Sequence, residues 1–301
     1  MNNQIQTVTI GILAHNEANN IGNLLENILK QRLIGGVVIE IIVFSDNSQD
    51  RTAERVKSFA TRGVRLIEST KRVGKNGAQN TLAREAQGDI LVLLDADISL
   101  VDDNVLEHLI QPVAEDDRVG LTSAAVLSLP ARTFFESVIV VSHAFKNALY
   151  QDIRHGDNIY ICHGRARAFS TKLFKTIEWP ETMPEDAYSF LFCKSQGLRF
   201  VFAKNAQVWF RSPATFADHL KQSQRFAAGK NALINAFGRD TVKNAYALPF
   251  GIFISTLVTF LFRKPLHILA YIVVNIATHI LPTGKHSEQS RWEISLSSKK
   301  L

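Results

Sequence analysis

The chain has 301 residues, 46% hydrophobic and 21% charged, a globular mix that excludes both a disordered chain and a many-span membrane protein. Two cysteines without CxxC spacing, Cys162 and Cys193, exclude a disulfide scaffold or a cysteine zinc site and read as buried, reduced thiols. A net charge of +6 and a pI near 9.3 point to anionic contacts such as phosphorylated substrates or lipid head groups; nucleic acid is set aside because no basic helix or aromatic-basic strand accompanies the charge.

The N-terminal Met-Asn-Asn-Gln has no basic segment followed by an apolar run, so the chain is expected to stay on the side of the membrane where it is made. From Thr7 to Glu115, short β-branched runs alternate with longer segments of helical periodicity. The runs Val8 to Ala14, Val37 to Ser45, Val64 to Glu68 and Ile90 to Leu94 predict strands. Helices are expected over Glu17 to Gln31, Arg51 to Thr61, Asn76 to Gln87 and Asp102 to Ala114. Mostly apolar strands in this βαβ order predict a sheet covered by helices on both faces. Further on the pattern predicts another strand after Val119, a helix over Thr133 to Tyr150, an extended segment Ile159 to Phe169, a helix after Glu185, and one amphipathic helix over Phe216 to Ala236.

The composition then shifts. Ala245 to Phe262 is apolar and uncharged, and Pro265 to Pro282 is a second such stretch, the two divided by Arg263 and Lys264. As helices they would cover roughly 27 Å each, marginal against a hydrocarbon core of ~30 Å. Basic residues flank the pair on both sides, so a spanning hairpin would keep both ends cytoplasmic. In-plane helices on a bilayer surface are the alternative, because His267, Asn275 and His279 dilute the second stretch. The expected division is a catalytic unit over 1–236 and a membrane-associated segment with a basic tail over 237–301.

Ligands of open α/β sheets bind beyond the carboxyl ends of the strands. Those positions carry His15, Asn16 and Glu17, then Ser45, Asp46 and Asn47, then Asp95 and Asp97. Asp95-Ala96-Asp97 follows a buried apolar run, and two such carboxylates suit Mg²⁺ or Mn²⁺ whose remaining ligands come from a diphosphate.

The segments Ile12 to Glu17, Phe44 to Thr52, Gly74 to Asn80, Asp95 to Asp97, Glu185-Asp186 and Gln222 to Phe226 together resemble the family 2 glycosyltransferases. The resemblance implies the glycosyltransferase A fold, a Rossmann-like mixed sheet flanked by helices, here followed by the apolar helical pair. It further implies an inverting transfer from a nucleotide sugar, a UDP-sugar, to a membrane-linked or polysaccharide acceptor. By the same resemblance Ala14, Glu17, Asp46, Lys75 and Asp95 contact the nucleotide. Asp97, with Asp95, holds Mg²⁺ or Mn²⁺, and Asp186 takes the acceptor proton. Glu185 supports it, and Gly164 lines the acceptor side. Gln222, Arg225 and Phe226 resemble the QxxRW motif that embraces the diphosphate and the acceptor sugar; Phe226 stands where the polymerising members have Trp, which argues against processive synthesis. Two alternatives share the architecture. A sugar-phosphate nucleotidyltransferase carries a Gly-rich loop after the first strand, where this chain reads His15-Asn16-Glu17-Ala18. An inactive fold relative has no need to keep Asp46, Asp95, Asp97, Asp186 and Arg225 together.

Overall fold

Each β-branched run of the first hundred residues forms a strand, and their register sets the rim on which the acidic residues stand. The computed structural model describes residues 5–181 and 183–280, without the side chains at 224–228 and 279. In chain order the elements are β1 (Gln6–Ala14), α1 (Ile21–Leu29), β2 (Gly36–Ser45), α2 (Thr52–Lys57), β3 (Val64–Glu68), α3 (Gly74–Glu85), β4 (Ile90–Asp95), β5 (Ile98–Leu100), α4 (Val105–Glu115) and β6 (Val119–Ser128). They continue as α5 (Phe134–Asp152), β7 (Ala166–Ser170), α6 (Thr171–Phe174), α7 (Glu185–Ser195), β8 (Arg199–Phe210), α8 (Phe216–Ala228), α9 (Lys230–Phe237), α10 (Arg239–Ala245), α11 (Phe250–Arg263) and α12 (Pro265–Ile280).

One sheet has the order β3-β2-β1-β4-β7-β6-β8-β5. Strands β3, β2, β1 and β4 are parallel. β7 runs antiparallel to both β4 and β6, β8 is parallel to β6, and β5 returns antiparallel along β8. Ala14 pairs with Ser45 and Leu13 with Asp95, so β1, β2 and β4 end level with one another. Asp46 and Asp95 therefore share one edge of the sheet.

Helices cover both faces, as the apolar strands require. On one face α1 buries Ile21, Leu24, Leu25 and Ile28, an i, i+3, i+4, i+7 stripe, against Ile10, Ile12 and Leu106. Full burial of each such side chain contributes about 1.5–3 kcal/mol. The other face packs Leu82, Trp179, Phe190 and Phe200 together, and this core takes in Leu233, Val242 and Ala245 from α9 and α10. A third cluster joins Phe145, Leu149 and Ile153 to Ile268, with Phe253, Leu257 and Phe260 packed on them.

Several expected boundaries move, each for a local reason. The first helix begins at Ile21 rather than Glu17 because residues 17–20 are used to tie loops together. The Glu17 N–H donates to Thr52 Oγ1 at 2.7 Å, and the Ala18 N–H to Asp50 at 3.0 Å. The segment Ile159 to Phe169 is extended only from Ala166. The helix expected over Phe216 to Ala236 breaks at Gly229 into α8 and α9. α5 opens with reciprocal capping: Thr133 Oγ1 accepts the Glu136 N–H at 3.1 Å and Glu136 accepts the Arg132 N–H at 2.6 Å. Arg211, at the end of β8, closes the buried pair with Glu136 at 3.1 Å.

Within the apolar tail, the stretch Arg239–Arg263 passes the length and composition expected of a membrane span, with mean hydropathy 1.9. Its helix is interrupted between Tyr246 and Pro249. α11 and α12 alone reach roughly 21 and 24 Å, short of a ~30 Å core. Both helices lean on α5, and their other sides expose Phe250, Phe262, Leu266, Val273 and Ile280.

At Gly88, between α3 and β4, backbone leaves no room for a side chain: a β-carbon would lie 2.7 Å from Thr9 N and 2.9 Å from Thr7 O. Gly88→Ala is expected to lower the unfolding free energy by roughly 1–3 kcal/mol, read as a reduced denaturant midpoint with an unchanged slope.

Candidate active site

The rim where β1, β2 and β4 end faces the turn before β7 and the first turn of α7. Because Leu94 pairs with Ala166 and the Asp95 N–H donates to Arg165 O at 2.8 Å, the residues 162–165 lie directly across from Asp95. There Lys75, from the first turn of α3, reaches into the rim. Its Nζ donates to Asp95 Oδ2 at 2.8 Å and to Gly164 O at 3.2 Å, and pairs with Glu185 at 3.0 Å. A side chain at 164 would strike the Glu185 carboxylate. Burial opposes charge on Lys75, but Asp95 and Glu185 outweigh it and raise its pKa.

The four carboxylates of the rim are compensated unequally. Asp97 receives both bonds of Arg165 Nη1, at 3.0 and 3.1 Å, and the guanidinium lies 4.3 Å above the Phe210 ring. Burial would push Glu185 up, yet Lys75 and then Arg167 hold it at about 2. Burial raises Asp95, with Lys75 opposing and Asp97 adding to the rise. Asp186 has no cation bonded to it among the described residues. Burial, and next the neighbouring Glu185 charge, lift it to about 6, against the 2.7 Å bond it accepts from the Ala187 N–H. A carboxyl lifted in this way can exchange a proton near neutrality.

Asp46 stands farther along the rim. It is fully buried, accepts N–H bonds from Val73 at 2.7 Å and Gly74 at 3.0 Å, and pairs with Arg72 at 3.3 Å. His15 Nδ1 lies 2.7 Å from Asp46 O, and its Nε2 meets Arg72 Nη1 at 2.8 Å. Glu17 accepts from Asn20 Nδ2 at 2.8 Å. Ala14 is buried between the two acidic loops, its carbonyl bonded by the Asp46 N–H at 2.8 Å.

A family model described as "Glycosyl transferase family 2" matches residues 9–178. The chain belongs to that family. Curated relatives include the succinoglycan biosynthesis protein ExoO of Rhizobium meliloti, 28% identical over 43% of this chain and 36% of that protein. A 4,4'-diaponeurosporenoate glycosyltransferase of Staphylococcus haemolyticus is 31% identical over 39% of this chain and 31% of that one. The dolichol-phosphate mannosyltransferase of Pyrococcus furiosus is 30% identical over 40% and 33%. The matches thus span about a third of the length of these relatives. Among solved structures, a mannosyltransferase from Pyrobaculum calidifontis in complex with GDP-Man and Mn²⁺ superposes with a TM-score of 0.61 at 20% identity, covering 92% of this chain and 81% of that one. Glucosyl-3-phosphoglycerate synthase of Mycobacterium tuberculosis, with Mn²⁺ and UDP, gives 0.52 at 18% identity over 77% and 80%. These likenesses establish the glycosyltransferase A fold, with the C-terminal helices in addition.

Within this family 2 chain, the structure brings Lys75, Asp95, Asp97, Gly164, Glu185 and Asp186 to one rim and sets Ala14, Glu17 and Asp46 beside them. Gln222 is half-buried on α8 and makes no hydrogen bond to the rim among the described residues. The side chains of Arg225 and Phe226 lie outside the described residues. The sequence places Arg165 with His163 and Gly164 in a loop lining the acceptor side but gives no sign of its pairing with Asp97, and Arg167 was missed. Arg165 clamps Asp97, and Arg167, wholly buried, donates to Glu185 O at 3.2 Å, to Ser189 Oγ at 2.8 Å and to Gln79. The signal was present in Arg165-Ala-Arg167-Ala-Phe169: a charged residue inside a strand flanked by apolar ones requires buried partners.

Among the described residues no group of three or more His, Cys, Asp or Glu side chains is arranged around a metal position. Asp95 and Asp97 nonetheless offer hard oxygens, and Asp95 Oδ1 accepts no hydrogen bond of proper geometry although Lys75 Nζ is 2.7 Å away. That donor set fits a divalent ion completed by diphosphate oxygens, and Lys75 and Arg165 pair with the same two carboxylates.

The Asp186 carboxyl titrates at about 6 when folded and near ~3.9 when unfolded. Between these values the folded state binds more protons, so stability falls as pH rises through that window. Asp186→Asn is expected to raise Tm by roughly 2–6 °C at pH 7 and to leave it unchanged near pH 3.5, as scanning calorimetry would show.

Proposed function

We propose that the protein is an inverting glycosyltransferase that moves a sugar from a nucleotide sugar, a UDP-sugar, to a hydroxyl of a membrane-linked or polysaccharide acceptor at the cytoplasmic face of a membrane. The observation that carries this reading is the unequal compensation of the rim: Asp95 and Asp97 paired with cations, and Asp186, lifted to about 6, with no cation bonded to it among the described residues. An inverting transfer needs a diphosphate-binding end and, facing it, one free base.

Asp46 is the residue assigned to the nucleobase. Its oxygens keep lone pairs beyond those used by Val73 and Gly74, but Arg72 covers it and must swing aside when the base enters. Ala14 and Glu17 line the nucleoside, and Lys75 turns from Asp95 and Glu185 toward the diphosphate, where an ammonium offsets the departing charge. Asp97 with Asp95 would hold Mg²⁺ or Mn²⁺, which as a Lewis acid stabilises the leaving diphosphate. Asp186 accepts the proton of the acceptor hydroxyl as that oxygen bonds to the anomeric carbon and the carbon–oxygen bond to the diphosphate breaks on the opposite face. Glu185 stays ionised and Arg167 fixes its backbone, so Asp186 keeps both its position and its raised basicity. Gly164 leaves the acceptor side open, and Gln222, Arg225 and Phe226 are assigned to the diphosphate and acceptor from α8.

In this reading residues 1–236 carry the catalysis and 237–301 the membrane contact, although Val242 and Ala245 of α10 still pack into the core of the catalytic unit. Support comes from the bare outer side of α11 and α12: Phe250, at the start of α11, is 77% exposed, and Phe262, next to Arg263 and Lys264 at its end, is 85% exposed. Short helices with one face packed on protein suit lying in the bilayer surface better than crossing it.

Metal dependence is tested by release of nucleoside diphosphate. EDTA is expected to stop it, Mn²⁺ or Mg²⁺ to restore it, and Asp97→Ala to abolish it; full turnover by Asp97→Ala would remove that residue from the reaction. The base is tested by pH. The rate is expected to rise with pH on an apparent pKa near 6, because only the ionised carboxylate accepts the proton. Asp186→Asn is expected to lose that limb and ~10² to 10⁴ in rate, with donor affinity within a few-fold. A retained anomeric configuration in the product, by NMR, would contradict the single displacement.

A further inference from the structure

Asp186 owes its place to backbone. Its carboxylate is bonded by the Ala187 N–H alone among the described residues, so it goes where the first turn of α7 goes. That turn has no side-chain cap at Pro184, and the segment that leads into it starts at Trp179. Trp179 packs inward, its ring edge-on to Phe169 at 5.6 Å and its indole N–H donated to Ser189 Oγ at 2.8 Å. Beyond it the segment turns outward. Pro180 and Glu181 are exposed, and an open cleft of about 560 Å³, lined by Val73, Gly77, Asn80, Trp179, Pro180 and Tyr188, borders them.

Two asparagines of α3 fasten this segment. Asn76 Nδ2 donates to Pro180 O and, at 2.9 Å, to Met183 O, the two carbonyls of the turn that the Met183 N–H closes on Pro180 O. Asn80 takes Trp179 by both backbone groups: its Nδ2 donates to Trp179 O at 2.9 Å and its Oδ1 accepts the Trp179 N–H at 2.8 Å. Residues four apart share one side of a helix, so these four bonds act from a single face of α3. Prolines at 180 and 184 have no N–H with which the segment could tie itself down. The start of the same helix is fixed to the donor end of the rim. The Val73 and Gly74 N–H groups bond Asp46, and Lys75, next to Asn76, bonds Asp95.

We propose that Asn76 and Asn80 are positioning residues of the transfer, which act through Asp186 by holding its helix at a set distance from the donor end of the rim. The inference rests on the transferase reading above, in which Asp186 is the base. Neither asparagine is assigned to donor or acceptor. A base displaced by about 1 Å loses on the order of 10² in rate.

Asn80 borders the open cleft, so water can take the place of its amide, and Asn80→Ala is the milder truncation of the two. Asn80→Asp, which keeps the acceptor for the Trp179 N–H, is the second variant. The full-length protein in mild detergent is titrated with UDP and assayed for UDP release from UDP-glucose, UDP-galactose and UDP-N-acetylglucosamine with water as acceptor. Asn80→Ala is expected to bind UDP within about twofold of the parent and to release it ~10 to 10² more slowly, with a smaller loss in Asn80→Asp. In an Asp186→Asn background the same truncation is expected to cost less than about threefold, because residues that act as a unit are not additive. The Asp186 carboxyl, followed by carbon-13 NMR, is expected to fall from about 6 toward the ~3.9 of a solvated aspartate as water enters beside it. The groups that face it, Glu185 on its own helix, Lys75 of α3, Arg167 of β7, Cys162 before β7 and Tyr246 after α10, are the same in every variant. Equal losses in the two backgrounds, an unmoved Asp186 titration, or a loss that falls on UDP affinity would overturn the positioning role. The two readings fail separately. A moved titration in a protein that neither binds UDP nor releases it overturns the transferase reading, and turnover with an unmoved titration overturns the asparagine clamp alone.

Discussion

A single ammonium organises the rim. Lys75 is shared between Asp95, Glu185 and the Gly164 carbonyl, so it fastens α3, β4, the loop before β7 and α7 at one point. Without it, carboxylates at the ends of neighbouring elements would repel one another in a setting too buried for water to screen them. Breaking such a pair from one side leaves an uncompensated charge, which is far more damaging than removing both partners. Arg165 and Arg167 extend the arrangement to Asp97 and to the first turn of α7. Lys75 pairs with Asp95 and Glu185 and Arg165 with Asp97, and Asp186 has no ion pair among the described residues.

What the sequence made legible follows from periodicity. β-Branched runs ending in polar residues located β1, β2 and β4, and the parallel order put Ala14, Asp46, Asp95 and Asp97 on one edge. The partners of those residues were hidden because they are tertiary. Nothing in the spacing of Arg72 from Asp46 says that a loop folds back over the carboxylate, and Arg165 and Arg167 lie far along the chain from Asp97 and Gln79. Glu17 looked like a helix start because Asp and Glu favour helix N-termini, but a bond to Thr52 claimed its backbone. The break within Phe216 to Ala236 turned on Gly229, a residue that periodicity treats as neutral.

The three clusters of buried side chains divide the labour. Two sandwich the sheet and fix the rim; the third joins α5 to the apolar tail. α5 belongs to both regions. Asn147 donates to Val126 O on β6 at 3.0 Å and His143 lies 5.2 Å from the Phe210 ring of β8, whereas Phe145 and Leu149 point to α11 and α12. α5 thereby joins the apolar helices to β6 and to Phe210 of β8, the ring on which the Arg165 guanidinium lies.

The contact between Gly229 and Pro184 has a consequence for how such chains diverge. A β-carbon at 229 would lie 2.7 Å from the Pro184 ring, two residues ahead of Asp186, while Leu233, Val242 and Ala245 sit in the core beside Phe190. The C-terminal helices are thus not an interchangeable cassette. Recombination that imports a different membrane-facing end, in nature or in the laboratory, has its workable crossover after Ala245, and a junction placed earlier must inherit a residue without a side chain at 229.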